Sequence, residues 1–222
     1  MTMGFQDRTE AGQRLAAMLK PYANRSDVLV LGLPRGGVPI AYEVAKVLNA
    51  PLDIFLVRKL GVPRHEELAM GAIASGGVRE LNQEVVSSIR ISHETIDKTA
   101  AEEQQELERR ERNYRGNRPP LNVCDHTVIL IDDGLATGAS MRVAATALRQ
   151  QQPKQIIAAV PVSAPENCKP SQVNADEIVC VETPQQFRAI GLWYEQFPQT
   201  SDEEVKQLLD QASQEKPTAS GK

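Results

Sequence analysis

Strand-like and helix-like hydrophobic patterns alternate along the chain. Residues 28–33 and 128–131 are uninterrupted apolar runs, which predict strands buried on both faces of a parallel sheet. Helical spacing resumes soon after each run, as in an α/β fold with a parallel sheet flanked by helices. The same patterns predict further strands over residues 52–57, 69–74, 78–81, 155–162 and 177–182, and helices over residues 9–23, 38–49, 83–115, 140–150 and 202–209.

The most informative segment reads VILIDDGLATGAS, residues 128–140. Asp132 and Asp133 directly follow its strand, at the end where open α/β sheets bind ligands. Free N–H groups of the glycine-containing turn and of the following helix form an anion site. Two carboxylates repel an anion unless ribose hydroxyls, which can donate to them, or a divalent cation offset the charge. The segment therefore indicates a phosphorylated sugar; an ordinary strand-to-helix turn capped by carboxylates is the alternative.

This segment resembles the phosphoribosyl pyrophosphate (PRPP) motif of the type I phosphoribosyltransferases, in which a hydrophobic strand precedes two acids, a short loop and Thr-Gly. The resemblance implies that Asp132 and Asp133 are catalytic, contact the ribose hydroxyls and hold Mg²⁺ directly or through water or the ribose. It also implies that PRPP is bound by the turn residues Gly134, Leu135, Ala136, Thr137 and Gly138. The chain looks most like the uncharacterised branch of this family that carries Pro-Arg-Gly-Gly in an early turn.

That early turn, residues 34–37, breaks the apolar run that ends at Leu33. Two consecutive glycines permit backbone geometry that is closed to other residues, and Arg35 adds a planar cation. In the resembled family the loop after the first core strand holds the pyrophosphate of PRPP, often with a strained peptide bond. The resemblance therefore implies PRPP-binding roles for Arg35, Gly36 and Gly37, while a simple turn is the alternative.

A third segment, residues 58–67, carries four groups that are or can become cationic: Arg58, Lys59, Arg64 and His65. Glycine and proline punctuate it, which predicts a mobile basic flap that closes over an anion. The resembled family has a flexible loop in this interval, which implies catalytic roles for Arg58 and Lys59. Several members supply such loops across a dimer interface, so a homodimer is expected. A solvated charged loop is the alternative, and a general acid or base role of His65 stays open.

Residues 183–197 concentrate aromatic side chains in a chain that has only 4% of them. Members of the resembled family bind the acceptor base under a variable hood after the last core strand, which implies that Phe187 and then Trp193 stack on the base. The same aromatics could instead pin a C-terminal lobe to the core. We expect one domain over residues 1–210, with a core over 28–182 and a small hood over 183–210, followed by a disordered tail over 211–222.

Composition narrows the functional class. The net charge of -4 argues against nucleic-acid binding, which usually needs a basic face. We expect neither membrane insertion nor secretion, because apolar runs are short and no leader-like segment opens the chain. The three widely spaced cysteines, Cys124, Cys168 and Cys180, predict neither a disulfide framework nor a zinc site. A reducing cytoplasm is therefore the expected setting.

Two functions fit these residues. The first is a Mg²⁺-dependent phosphoribosyltransferase of nucleotide metabolism, which moves the 5-phosphoribosyl group of PRPP to a nitrogen acceptor, expected to be a nucleobase, and releases pyrophosphate. The acceptor nitrogen makes the attack, and the sequence offers no Ser-His-Asp or Cys-His arrangement that would supply a side-chain nucleophile. The second is a non-catalytic sensor that binds PRPP or a nucleotide.

Overall fold

The computed structural model describes residues 4–63, 65–119 and 121–214. These ranges contain eight strands: β1 (Val28–Gly32), β2 (Leu52–Ile54), β3 (Val57–Val62), β4 (His65–Ala74), β5 (Val78–Leu81), β6 (Thr127–Ile131), β7 (Gln155–Val162) and β8 (Glu177–Glu182). The same ranges contain seven α-helices: α1 (Arg8–Met18), α2 (Gly37–Leu48), α3 (Gln83–Ile89), α4 (His93–Arg115), α5 (Ala139–Gln150), α6 (Pro170–Val173) and α7 (Asp202–Gln214). Short 3₁₀ helices lie at Lys20–Tyr22 and Ile190–Trp193.

Five strands form one parallel sheet in the order β2-β1-β6-β7-β8. In its register Val30 of β1 lies opposite Ile129 of β6, which in turn lies opposite Ile157 of β7. Every residue of β1 and β6 is buried, because both strands have neighbours on either side and helices over both faces. The predicted α/β architecture is therefore confirmed.

Alternate residues of the central strands enter two apolar clusters on opposite faces of the sheet. Val30 and Ile129 join side chains of α1, α2, α4 and α7 in the first cluster. Leu31 and Leu130 join α5 in the second. This two-sided burial explains why the strand sequences show no polar alternation.

The helix predicted over residues 83–115 is two helices, so that prediction was wrong in the middle. α3 ends at Ile89, and Arg90 has a left-handed backbone with φ 57°. Ser92 then caps α4, since its Oγ accepts a hydrogen bond from the Thr95 N–H at 3.2 Å. α4 is rich in strong helix formers, whereas five of the seven residues of α3 are Val, Ser or Ile, which favour helices less. The prediction extended the pattern of α4 across a boundary that the Ser92 cap creates.

The segment expected to be a basic flap forms part of a small antiparallel sheet, β3-β4-β5. The strand predicted over residues 52–57 ends early, at Ile54, and the chain then leaves the main sheet to begin β3. Pairing runs from Val57 opposite Ala74 to Val62 opposite His65, with register shifts around Gly61. The flap is therefore the end of a β-hairpin. Arg64, one of its predicted cations, lies outside the described residues.

Cys168 and Cys180 are joined by a disulfide, so the expectation of unpaired cysteines was wrong for this pair. The chain after β7 folds back beside β8, which brings the two Cα atoms to 6.5 Å although 12 positions separate them in sequence. Cys124 is free and exposed. Cysteine usage therefore no longer supports the expectation of a reducing compartment.

None of the described helices is long and apolar enough to cross a membrane. At the C-terminus α7 continues to Gln214, past the predicted domain end at residue 210. The remainder of the expected disordered tail, residues 215–222, lies outside the described residues.

Candidate active site

The turns that follow β1 and β6 meet at the carboxyl edge of the main sheet, because these strands are neighbours with Gly32 opposite Ile131. The Leu33 N–H donates to the Ile131 carbonyl at 2.8 Å. A Cβ at Gly37 would lie 2.5 Å from the same carbonyl oxygen and 2.9 Å from the Asp132 Cα. Only glycine allows this approach, so the early turn, which is predicted to bind pyrophosphate, lies directly against the two acids.

The Asp133 carboxylate is enclosed by two other segments of the chain. Arg8, the first residue of α1, donates to Asp133 Oδ2 from Nη2 at 2.9 Å and from Nε at 3.3 Å. The early turn also borders this carboxylate, since a Cβ at Gly36 would lie 2.0 Å from the same oxygen and 3.4 Å from Arg8 Nη2. The side chains of Arg8 and Asp133 are 11% and 16% exposed, so this ion pair is largely removed from water.

The hood closes a further side of Asp133. The Tyr194 hydroxyl donates to the Asp133 carbonyl at 2.7 Å. Arg8 extends the connection, because its Nη1 donates to the Pro198 carbonyl at 2.7 Å and its guanidinium lies 3.9 Å from the centre of the Phe197 ring. Sequence reasoning missed Arg8 and Tyr194. Arg8 is separated from Asp133 by 125 positions, and no local pattern reports a contact of that range.

Asp132 is the less compensated acid of the pair. Its Oδ1 accepts the Asp133 N–H at 2.9 Å. Burial first, and then the negative charge of Asp133, raises the pKa of Asp132 to about 8, against the opposing effect of Arg8. Burial and the same Asp133 charge also raise the pKa of Tyr194 far above its ordinary value. The hydroxyl of Tyr194 therefore stays a hydrogen-bond donor.

The predicted phosphate turn, residues 134–138, is hydrogen-bonded to the rest of the chain at Leu135 and leaves the N–H groups of the next three residues available. The Leu135 N–H donates to the Val162 carbonyl at 2.9 Å, and the Leu135 carbonyl accepts from Ala164. Within the described part of the chain, no group accepts from the N–H groups of Ala136, Thr137 or Gly138. α5 begins immediately afterwards and adds the positive end of its dipole. This combination of free N–H groups and a helix N-terminus suits a phosphate.

In the early turn the Pro34-Arg35 peptide bond is cis. The Arg35 side chain extends toward α7, where its Nη1 lies 3.7 Å from Asp202 Oδ1. Asp202 also accepts a hydrogen bond from the Tyr114 hydroxyl at 2.6 Å. The structure thus places Gly36 and Gly37 against the acids and Arg35 at the outer side of the same turn.

The two flap cations predicted to be catalytic project to different sides of β3. Arg58 forms an ion pair with Glu103 of α4. Lys59 lines a cavity of about 330 Å³ whose wall includes Ala139 and Ser140, in the first turn of α5. Lys59 is therefore close to the end of the phosphate turn, and Arg58 is directed toward the long helix. His65 is the first residue of β4, at the hairpin end.

The hood aromatics pack together with the N-terminal segment. Phe187 and Trp193 lie against an apolar cluster that contains Phe5 and Tyr194. The hood also reaches the acids, since a Cβ at Gly134 would lie 2.8 Å from the Ile190 side chain. The described contacts fit the alternative in which these aromatics pin a C-terminal lobe. They also place that lobe directly over the turn that carries Asp132 and Asp133.

Comparison with known proteins decides the family. A model described as the phosphoribosyl transferase domain matches residues 6–196. The chain belongs to this family. The chain is 43% identical over 208 residues to two curated relatives from Mycobacterium tuberculosis, strains CDC 1551 and H37Rv, each provisionally named a phosphoribosyl transferase. The match covers 94% of this chain and 47% of each relative, so the chain spans about half the length of the curated relatives it matches.

A solved structure supports the same assignment. The crystal structure of TT1426 from Thermus thermophilus has a TM-score of 0.80 and 39% identity to this chain, covering 93% of this chain and 98% of that one. The resemblance indicated by the Asp-Asp segment is thus confirmed, and with it the membership of a transferase family. The residues assigned to the site from the sequence remain predictions.

We predict that Asp132→Asn stabilises the protein at neutral and alkaline pH. A carboxyl whose pKa is raised by folding destabilises the fold increasingly as pH rises from its ordinary pKa, about 3.9, toward its folded value of about 8. Asparagine cannot ionise, and its side-chain oxygen can still accept the Asp133 N–H. Thermal unfolding followed by circular dichroism should show a variant with nearly the wild-type melting temperature at pH 4 and one a few degrees higher at pH 8.

The matched control is Glu102→Gln, which neutralises an exposed carboxylate of α4. Its melting temperature should follow that of the wild type across the same pH range. An Asp132→Asn variant that is no more stable than the wild type at pH 8 would contradict the raised pKa.

Proposed function

We propose that the protein is a Mg²⁺-dependent phosphoribosyltransferase that transfers the 5-phosphoribosyl group of PRPP to a nitrogen acceptor, a nucleobase, and releases pyrophosphate. One observation carries the proposal. Two adjacent acids, three open N–H groups and a glycine turn lie together at the carboxyl edge of one parallel sheet. These groups match the parts of PRPP: a ribose with two hydroxyls, a 5′-phosphate and a pyrophosphate.

The acids and the phosphate turn bind different parts of the phosphorylated sugar. Asp132 and Asp133 accept hydrogen bonds from the ribose hydroxyls, and the N–H groups of residues 136–138 bind the 5′-phosphate at the start of α5. Leu135 serves as the anchor, because its own N–H and carbonyl are bonded to the chain at the end of β7. Holding the sugar at both ends positions its anomeric carbon for attack.

The donor set fits Mg²⁺ when substrate oxygens complete it. The described residues include no group of three or more side chains of the metal-binding kind. Mg²⁺ commonly uses one or two carboxylates and takes its remaining ligands from phosphates and water. Asp132 and the oxygen of Asp133 that Arg8 does not engage would hold it, directly or through water or the ribose. Bound there, the ion would offset the charge of the leaving pyrophosphate.

The protein's own groups act on both partners of the breaking bond. As the anomeric carbon gains positive charge, the carboxylate of Asp133 stabilises it, and so does that of Asp132, whose ionised form the bound Mg²⁺ would favour. The early turn receives the pyrophosphate through Gly36, Gly37 and Arg35. Lys59 supplies a cation beside the first turn of α5. Arg58 can act on the same charge only when its ion pair with Glu103 opens.

The hood supplies the acceptor side of the site. Ile190 contacts the acid-bearing turn at Gly134, so the hood lies directly above the proposed position of the sugar. Phe187 and Trp193 belong to the same hood and are only partly buried, which leaves aromatic surface for a planar base. We therefore propose them as the stacking residues, with Phe187 first.

PRPP binding tests the central assignment. Calorimetry with PRPP and Mg²⁺ should show binding to the wild type and a loss of roughly a hundredfold or more in the double variant Asp132→Asn with Asp133→Asn, because two charge-assisted interactions are removed. The matched control neutralises two acids that are 67% and 70% exposed, Asp97 and Asp210. That control should bind as the wild type does. Unchanged affinity in a folded Asp132/Asp133 double variant would refute the assignment.

Turnover separates a transferase from a PRPP sensor. We expect pyrophosphate release when the protein, PRPP and Mg²⁺ are screened against purine bases, pyrimidine bases and other nitrogen acceptors, with the Asp132/Asp133 double variant as the inactive control. The acceptor that raises release above its rate without acceptor identifies the second substrate. Tight PRPP binding without turnover on any acceptor would instead support the sensor.

The homodimer expected from the family resemblance is also a proposal. Light scattering coupled to size-exclusion chromatography should give a mass near twice the chain mass of 24.4 kDa. A mass of one chain at micromolar concentration would exclude a stable dimer.

A further inference from the structure

All three nitrogens of the Arg8 guanidinium group donate hydrogen bonds. Its Nε and Nη2 donate to Asp133 Oδ2, and its Nη1 donates to the Pro198 carbonyl. Its plane also lies against Phe197, and the side chain is 11% exposed. An arginine held in this way has lost most of its rotamer freedom, and it restricts the carboxylate that accepts its hydrogen bonds.

The backbone of the early turn also restricts the same carboxylate. A Cβ added at Gly36 would lie 2.0 Å from Asp133 Oδ2 and 2.7 Å from the Asp133 carboxyl carbon. Because the same Cβ would lie 3.4 Å from Arg8 Nη2, the early turn and the guanidinium of Arg8 border adjacent parts of the Asp133 carboxylate. Removing Arg8 frees the part of the carboxylate that it bonds and leaves a largely buried carboxylate without its cation.

A second arginine on α1 shows what a purely structural role looks like. Arg14 forms an ion pair with Glu182, donates to the Gly4 carbonyl and lies 4.5 Å from the Phe5 ring centre. Arg8 and Arg14 thus make the same three kinds of contact, with a carboxylate, a backbone carbonyl and an aromatic ring. They differ in burial, since the Arg14 and Glu182 side chains are 35% and 37% exposed. They also differ in the carboxylate, since only Arg8 holds one of the two acids of the proposed site.

We propose that Arg8 is a positioning residue for PRPP. It holds the Asp133 carboxylate in one orientation and ties that orientation to the hood through Pro198 and Phe197. A carboxylate that is already fixed loses no freedom when the ribose hydroxyls bind, which favours affinity and correct placement of the sugar. This inference rests on the proposed function, because it assumes that Asp133 contacts the ribose of PRPP.

The test compares Arg8→Met with Arg14→Met, two variants that each remove one charged contact set from the same helix. PRPP affinity is measured by calorimetry with Mg²⁺, alongside thermal unfolding. KM and kcat are measured with the acceptor that the pyrophosphate-release screen identifies. We expect Arg8→Met to weaken PRPP binding roughly tenfold to a hundredfold. KM for PRPP should rise in parallel. We expect Arg14→Met to keep wild-type affinity although its melting temperature falls.

Two further variants distinguish positioning from folding. Arg8→Lys retains the charge but not the planar fork, so it should recover only part of the affinity. If Arg8→Met does not fold, Arg8→Lys carries the comparison. In Arg8→Ala, added methylguanidinium should restore PRPP affinity by occupying the vacated position, whereas equal concentrations of methylammonium should restore less.

The outcomes separate the inference from the function beneath it. Wild-type protein that does not bind PRPP would refute both. Wild-type binding together with unchanged affinity in folded Arg8→Met, or with an equal loss in Arg14→Met, would refute the role of Arg8 and leave the proposed function standing.

Discussion

Asp132 and Asp133 place two carboxylates side by side at the edge of a sheet where little water reaches them, and this arrangement constrains the rest of the site. Each charge disfavours the other, and burial disfavours both. Arg8 offsets one of them through its ion pair with Asp133. Asp132 has no such ion pair, and burial first and then the charge of Asp133 raise its pKa, although Arg8 lowers it in part. The fold thus retains an unfavourable acid at a place where ribose hydroxyls or a cation would relieve it.

The close approach of the two turns follows from the same constraint. The proposed site for a small, highly charged sugar needs the loops after β1 and β6 in contact, and neighbouring parallel strands provide that contact. Gly36 and Gly37 leave no room for a Cβ beside Asp133 and the Ile131 carbonyl. Their backbone conformation matters less than their missing side chains, because Gly36 has an ordinary φ of -61°.

The features that could be predicted from the sequence are those encoded within a few residues. The runs 28–33 and 128–131 predict central strands because both faces of β1 and β6 are buried, and the two acids stand directly after such a run. The hairpin at 57–74, the break at Arg90 and the Cys168–Cys180 disulfide depend on pairings or caps that hydrophobic periodicity does not report. The Arg8–Asp133 pair is the extreme case, since its partners are far apart in the sequence.

The Arg8–Asp133 pair also shows how much of the chain is needed to build the site. A core over residues 28–182 contains both acids and both turns, yet it lacks Arg8 and Tyr194. The family match over residues 6–196 includes them. With α1 and the hood present, Asp133 has a cation for its carboxylate and a donor for its carbonyl. Without them, the same sheet edge would expose two uncompensated acids, so α1 and the hood are part of the proposed active site and not additions to a finished core.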